Sequence, residues 1–365
     1  MSTVSTHIDA AGEAELHRAL RHFWHPVMYT DELGDGPQGV ELLDERLVVV
    51  RLAGKVRVFP DLCVHRGTAL SLGWVEDDQI RCAYHGWTYG PDGACTSIPA
   101  RHGPHIPGRA RLDSYRVAER NGLIWVSLDP EPVFPIPDFP EFDDPSYRVA
   151  AVPVKEWKCS AARRLENFVD FAHIAWVHDN VLGTREHPEV ADHKVWREGA
   201  VLRFGGEDFV APSRTTKNRV ASSDARHVVT TKDYRLFMPL SIHFYQTIEG
   251  RHHFILFVSA CPVRRDVTRF FTFNARDYEL EEDDERFISF QEEILEQDRP
   301  VVESQRPEEL PFDLSAELHI RGVDRVSIEY RKWLIELTNH SEGGTRPRPL
   351  VESSLPSPGR EVDGG

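Results

Sequence analysis

From Glu13 to Phe23, leucines and aromatic residues recur at helical spacing, and His25-Pro26 ends the pattern. This predicts a short amphipathic helix that opens the fold and packs on a later domain. From Val40 to about Leu128 the pattern changes to short β-branched or alternating runs, Leu47 to Leu52, Lys55 to Phe59 and Leu123 to Leu128, punctuated by Gly, Asp and Pro. Such runs predict a small all-β domain. Asp129 to Pro153 is acidic and rich in proline, a composition that resists both helix and central strand and reads as a connection. Beyond it, a helical stretch near Arg163 to Val177 precedes strand-like runs at Val228 to Phe237, His243 to Ile248, Phe254 to Cys261 and Thr268 to Ala275, and then a strongly helical Tyr278 to Gln297. An antiparallel sheet with helices on one face is the natural packing. The expected division is an N-terminal helix at 1–30, a β domain at 31–130, a connection at 131–153, a second domain at 154–340 and a disordered tail at 341–365, rich in Gly, Pro, Ser and charge. No internal repeat is present.

Composition narrows the function. The 365 residues, 40% of them hydrophobic, suffice for two domains with sizeable cores. The 43 Lys and Arg against 59 Asp and Glu leave a formal charge of -16, which repels phosphate backbones and anionic lipid surfaces. Nucleic acid and membrane are therefore not expected as partners. The first 25 residues have no apolar core of the kind a secretion signal or anchor needs, so the expectation is a soluble cytoplasmic protein. Five cysteines without a dense pattern do not suggest a disulfide framework, which frees two of them for metal.

The strongest chemical signal is Cys63-Val64-His65, then sixteen residues, then Cys82-Ala83-Tyr84-His85. Two thiolates and two imidazoles from two short loops can build a tetrahedral zinc site, or a [2Fe-2S] cluster in which histidines replace cysteines on one iron. A zinc finger groups its two Cys together and its two His together, whereas each loop here supplies one of each, which favours the cluster. The run CVHRGTALSLGWVEDDQIRCAYHGWTYG, with Arg66-Gly67 and Gly86-Trp87 after the two loops, resembles the Rieske cluster-binding motif of ring-hydroxylating and demethylating oxygenases. Cys95, Cys159 and Cys261 lack such company and read as core or loop residues, and His102 and His105 as surface histidines.

A second constellation lies in the segment from Glu166 to His178, an apolar helical pattern interrupted by two imidazoles, an amide and two acids. Asp170 and His173 are three apart and would share a helix face, whereas His178, five beyond His173, would point away on an ideal helix. The helix must therefore bend or end between the histidines if both are to bind one metal. A facial triad of two histidines and one carboxylate leaves open positions, as an Fe(II) oxygenase requires. In the helix ending EEILEQDRP, Asp298 falls on the stripe of Phe287, Ile294 and Leu295, while Glu292, Glu293 and Glu296 fall outside it. The acidic run Glu279 to Glu285 reads as a solvated helix face.

The DxxHxxxxH pattern, with a distant Asp in Gln297-Asp298-Arg299-Pro300, resembles the catalytic half of the same Rieske-type non-haem iron oxygenases. The resemblance runs from the first helix to about Leu337. It implies an α+β fold: an all-β Rieske [2Fe-2S] domain plus a helix-grip (START-like) catalytic domain on an antiparallel sheet. It also implies that Cys63, His65, Cys82 and His85 hold the cluster and that His173, His178 and Asp298 hold mononuclear Fe(II). Asp170 would bridge an iron-bound histidine and a cluster-bound histidine of a neighbouring subunit in a head-to-tail homotrimer. Asn167 could hold the site by hydrogen bonds, face the oxygen side, or be structural.

The resemblance also implies that electrons come from NAD(P)H through a separate ferredoxin or flavin reductase, and the chain has no plant-type ferredoxin Cys pattern. Arg66, Arg81, Arg101 and Arg109 could dock that partner, or be ordinary surface charges. Length and the wording EQDRPVVESQRPEELP look most like the self-contained oxygenases, such as vanillate and dicamba demethylases, so hydroxylation or oxidative demethylation of a small aromatic, alicyclic or alkaloid-like molecule is expected. Ring cis-dihydroxylation uses the same ligands and stays open. An electron carrier or metal-stabilised binding module is the alternative from another class. Phe204, Met238, Ile242, Phe244 and Phe257 are the expected pocket walls.

Overall fold

The structure is a computed structural model that describes residues 10–103, 105–210, 228–248 and 250–342. The expected disordered tail thus lies, from residue 343 on, outside the described residues. Helix α1 (Ala10–Ala19) and a 3-10 turn at Leu20–His22 lead into β1 (His25–Tyr29). A three-stranded antiparallel sheet of β2 (Gln38–Leu42), β3 (Glu45–Leu52) and β4 (Lys55–Pro60) comes next. A four-stranded sheet follows, made of β5 (Trp74–Glu76), β6 (Gln79–Arg81), β7 (Thr88–Tyr89) and β8 (Cys95–Ser97). Strands β9 (Arg116–Arg120) and β10 (Leu123–Ser127) return to form a sheet in the order β1-β10-β9.

The run Glu45-Arg46-Leu47-Val48-Val49-Val50 has no polar alternation beyond its start because β3 is buried on both faces. Successive side chains of a strand point to opposite sides, and here Val48, Val50 and Leu52 enter a small core with Leu70, Ile80, Cys63, Cys82 and Tyr89. Leu47 and Val49 enter the main core, which continues through Trp125 into Phe271 and Phe273 of the second half. One strand therefore joins two cores.

The second half is one seven-stranded antiparallel sheet in the order β11-β17-β16-β15-β14-β13-β12. Its strands are β11 (Arg148–Trp157), β12 (Lys194–Glu198), β13 (Val201–Val210), β14 (Val228–Phe237), β15 (Ser241–Ile248), β16 (His252–Arg264) and β17 (Val267–Arg276). Helices α2 (Ala161–Val169), α3 (Ile174–Val177), α4 (Glu285–Val302) and α5 (Arg325–Glu342) complete it. Among the described residues no helix is long and apolar enough to cross a membrane.

Four expectations change. The helix expected over Arg163 to Val177 is two, because α2 ends at Val169 and Asp170 takes an extended backbone as its C-cap. The helix expected from Tyr278 begins at Glu285, so the acidic run up to Asp284 precedes it, where Asp284 accepts a 2.8 Å bond from buried Arg276. The end of the expected connection is strand β11 at the sheet edge, where Pro153 sits within a register shift between Val152 and Lys155, a place that tolerates a missing N–H. Strands β12 and β13 were not foreseen. The rest of the connection packs on the outer sheet face, with the Phe139 ring stacked 4.8 Å from Phe257 and Glu141 bonded at 2.8 Å to buried His243.

Helix α2 is held by a buried charge network. Ser160 caps it by accepting the Arg163 N–H. Arg331 of α5 forks onto both Glu166 oxygens at 2.5 and 2.7 Å, and Glu317 accepts from both Arg331 and Arg163. Arg163 also donates to the carbonyls of Pro307 and Glu309. Removing one partner of such a pair strands the other charge in the interior. Arg331→Met is expected to lose about 3 kcal/mol of stability in urea denaturation followed by tryptophan fluorescence, and a loss below ~1 kcal/mol would mean that the network does not hold the fold.

His25 adds a pH dependence. Its imidazole is 1% exposed and bonds the Leu20 carbonyl at 2.7 Å, while its Nδ1 has no partner. Burial lowers its pKa from 6.5 to about 4; the Leu20 carbonyl opposes the shift and His17 adds to it. The folded state thus favours the neutral ring, so the contribution is full above pH 6.5 and fades as pH falls towards 4. It amounts to about 3 kcal/mol. The denaturation midpoint should fall across that window and fall less steeply in His25→Gln; parallel slopes would exclude this histidine as the cause.

Candidate metal centres

Cys63 and Cys82 open two loops of the same construction. In each, the N–H of the residue four ahead returns to the cysteine carbonyl, Gly67 to Cys63 at 2.8 Å and Gly86 to Cys82 at 3.0 Å. Each cysteine N–H in turn bonds the carbonyl five ahead, of Thr68 and of Trp87. The closing residues need positive φ, +69° at Gly67 and +70° at Gly86, which glycine adopts without strain. The loops bring the expected residues together, with both thiols buried and unpaired in the small core and the His65 and His85 rings 4.6 Å apart at the half-exposed edge.

This arrangement fits a cluster held by sulfur on its inner side and by imidazole on its outer side. His65 Nδ1 is buried without a hydrogen-bond partner, and burial pushes the Cys63 thiol pKa up, with Cys82 adding to the rise. Both are conditions that metal ligation relieves. One neighbour, Tyr89, escaped the sequence reading, and Trp87 of the motif has a definite place. Tyr89 places its hydroxyl 3.1 Å from Cys63 Sγ, and Trp87 stacks on His65 at 4.5 Å. Around the loops Leu62, Val64, Leu72, Trp74 and Tyr84 are exposed. Arg81 pairs with Glu76, while Arg66, Arg101 and Arg109 are exposed, as are His102 and His105. Cys95, Cys159 and Cys261 are buried.

The second centre depends on the break after α2. His173 and His178 flank the single turn of α3 as its N-cap and C-cap, so the chain bends before the first histidine and again at the second, rather than between them on one helix. Asp170 and His173 do not share a helix face, yet Asp170 Oδ2 lies 3.7 Å from His173 Nδ1. From α4, Asp298 Oδ1 comes within 3.5 Å of His173 Nε2 and 3.1 Å of His178 Nε2. One ligand atom from each of these three residues lies within 4.8 Å of the others.

His178 bonds Gln297 Oε1 through Nδ1 at 2.8 Å, which puts its proton there and turns the Nε2 lone pair towards a carboxylate oxygen. Two acceptors face each other, a repulsion that a cation between them removes. Burial works to raise the Asp298 pKa, and the Arg164 guanidinium opposes it. Burial raises that of Asp170 and lowers that of His173. Asn167 does not reach these ligands, because its Oδ1 accepts a 2.6 Å bond from Arg164.

A cavity of about 100 Å³ opens on His173, His178 and Asp298. Phe244 lines it, but the other expected wall residues do not. Phe204 is covered by Tyr234, stacked on it at 4.7 Å, and by Phe171. Ile242 is buried farther along β15, Met238 lies beyond the end of β14, and Phe257 points to the opposite sheet face against Phe139. Phe168, Tyr234, Leu256, Ile294 and Leu295 take their place, with Lys232, Gln246 and Gln291 supplying polarity. The helical wheel could have found Gln291, which lies seven residues before Asp298 on the same stripe; Arg164 has no such signal. A second cavity of about 370 Å³ adjoins the first, sharing Ile174, Leu182, Lys232 and Tyr234.

Comparison with known proteins agrees with both centres. Residues 23–116 match the Rieske [2Fe-2S] domain family, and residues 157–340 match the vanillate O-demethylase oxygenase C-terminal domain. The chain is 34% identical over 350 residues to methylxanthine N1-demethylase NdmA of Pseudomonas putida, spanning 92% of this chain and 95% of that protein. It is 35% identical over 334 residues to methylxanthine N3-demethylase NdmB of the same species, spanning 87% and 90%. The solved structure of Pseudomonas putida CBB5 NdmA with caffeine superposes with a TM-score of 0.81 at 32% identity, over 94% of this chain and all of that one. With its cluster domain, its oxygenase domain and near full-length relatives of the same build, the chain belongs to the Rieske non-haem iron oxygenases.

Proposed function

We propose that this chain is a terminal oxygenase that removes an N- or O-linked methyl group from a small, planar, polar aromatic or alkaloid-like molecule. The observation that carries this reading is the convergence of His173, His178 and Asp298 at a small cavity walled by Phe168, Tyr234, Phe244, Leu256, Ile294 and Leu295, with Lys232, Gln246 and Gln291 among its polar lining. His173, His178 and Asp298 would hold the iron, and Cys63, Cys82, His65 and His85 the cluster. When bound, the iron supplies oxygen activation and the cluster one-electron delivery.

The protein's own groups position and exclude. Gln297 fixes the His178 tautomer and ring plane. Asp170 is about a third exposed, and its Oδ1 accepts the Ala172 N–H at 2.7 Å, which leaves Oδ2 turned towards His173. This supports a bridging role for Asp170 towards a donor arriving from outside. The exposed apolar rim around the cluster loops, and exposed Trp176 beside the iron site, support a head-to-tail homotrimer in which each cluster serves the neighbouring subunit. A separate ferredoxin or flavin reductase would draw on NAD(P)H to reduce the cluster. All five cysteines are unpaired, which supports a cytoplasmic location.

Substrate recognition falls to the polar lining residues. Gln291 is 4% exposed and lines the cavity; its amide offers a donor and an acceptor side by side, complementary to the lactam or ureide edge of a heterocycle. Phe168, Tyr234 and Phe244 supply flat apolar surface. The relatives named above are methylxanthine N1- and N3-demethylases, and methylxanthines carry ring carbonyls to which such an amide can donate. Oxygen inserted into a methyl C–H bond gives a hydroxymethyl group, which leaves as formaldehyde while the heteroatom keeps a proton; the second oxygen atom leaves as water at the expense of two electrons and two protons.

Anaerobically purified protein should contain about three irons and about two sulfides per chain. His173→Ala should lose the mononuclear iron, keep the cluster and release no formaldehyde from methylated heterocycles in a coupled assay. Zinc without sulfide in the parent would sink the oxygenase reading. The Tyr89 hydroxyl tests the cluster assignment separately. A hydrogen bond to a ligating sulfur favours the electron-rich reduced state, so Tyr89→Phe should lower the cluster potential by roughly 40 mV for each ~1 kcal/mol of that preference. An unchanged potential would place the cluster away from Cys63.

A further inference from the structure

Arg163 and Arg164 are adjacent on α2 and both 1% exposed, but they face different surroundings. Arg163 enters the Glu317 network, with four acceptor contacts to account for its charge. Arg164 points instead to the iron site. Its guanidinium lies over the rings of Trp157 and Phe270, 4.2 Å from each centroid. Nη1 donates to Asn167 Oδ1, and Nη2 faces Asp298 Oδ2 at 4.0 Å. Two aromatic faces and an amide fix the guanidinium plane, so the charge cannot swing away from the carboxylate.

The two oxygens of Asp298 therefore have different environments. Oδ1 faces the two imidazole nitrogens, and Oδ2 faces a fixed cation. We propose that Arg164 is a positioning residue that holds Asp298 Oδ2 away from the metal, so that the carboxylate ligates through Oδ1 alone. This rests on the iron-site reading given above. A carboxylate can ligate through one oxygen or two, and the second would occupy a position that the two-histidine, one-carboxylate arrangement otherwise leaves open for oxygen and substrate. A fixed positive charge so close also repels a divalent ion, so the arrangement gives up iron affinity for an open position. A guanidinium that merely supported the fold would have the opposite signature, since its removal would lose iron.

The test is near-infrared magnetic circular dichroism of the ferrous protein with its cluster oxidised and diamagnetic, together with Fe(II) dissociation by competitive chelation. In Arg164→Met the ligand-field bands should move to the pattern of one further oxygen ligand, with Fe(II) held as tightly as in the parent or up to about 10-fold more tightly. Arg164→Lys keeps the charge and should keep the parent bands. Asn167→Ala frees one side of the guanidinium and should shift the bands part of the way, which decides the matter if Arg164→Met does not fold. Unchanged bands in Arg164→Met or in Asn167→Ala, or loss of iron from a folded Arg164→Met, would overturn the proposal. A parent protein that binds no mononuclear iron would instead overturn the iron-site reading itself.

Discussion

A carboxylate cannot be buried as an anion unless cations or donors surround it, because the desolvation penalty reaches several kcal/mol. Asp298 is 5% exposed, and the irregular features of the second half are those that surround it. Helix α2 stops at Val169 so that the chain can turn and deliver His173 and His178 from either end of one helical turn. Arg164 is carried into the interior on the same helix, and the charge network of Glu166, Arg331 and Glu317 fixes that helix to α5 and to the loop before it. Removing any one of these leaves a like-signed or unpaired group in low dielectric.

The cluster domain is tied to this arrangement through shared cores. Strand β3 places Val48 and Val50 beneath the cluster loops and Leu47 and Val49 against the catalytic half. Tyr29 reinforces the joint, its hydroxyl donating to the Val152 or Thr272 carbonyl and accepting the Thr272 N–H across β11 and β17. An all-β domain of this size folding alone would show polar alternation on its outward strands; β3 does not, because its second face is not outward. The cluster loops and the catalytic half thus share continuous packing through β3, and the apolar rim of the loops is exposed.

Local chemistry was legible in the sequence and tertiary placement was not. The cysteine and histidine spacing survives into the structure because each loop is closed by its own backbone bonds, within six residues. Asp298 could be chosen over Glu292, Glu293 and Glu296 because α4 is regular where it matters, and periodicity reports which face is inward. The α2 break was not legible, since Asn167 to His173 contains no Gly or Pro and the break is imposed by the site. The pocket failed for a related reason. Period-2 alternation assigns residues to two faces, but Phe257 and Phe244 could be separated only by knowing that Phe139 of the connection covers the outer face. Buried Arg164 and Arg163 look alike in sequence, and only the partners distinguish them.

The division of labour within the cavity follows from where variation is mechanically cheap. The candidate ligands and the residues beside them come from α2, α4 and the turn of α3, which are held by burial and by the charge network. The outer cavity is walled largely by the stretch from Leu182 to His193, which is neither helix nor strand apart from an isolated bridge at Gly183, and by Gly205, Gly206, Lys232 and Tyr234 of β13 and β14. Loop residues can change length and character without breaking ladder bonds or the buried ion network. Gly205 marks how close the two strands and the cavity lie, because a Cβ there would meet the Lys232 carbonyl at 2.1 Å. Under the proposed demethylation, the inner cavity would take the reacting methyl group, and discrimination between substrates of different outline would fall to the outer one.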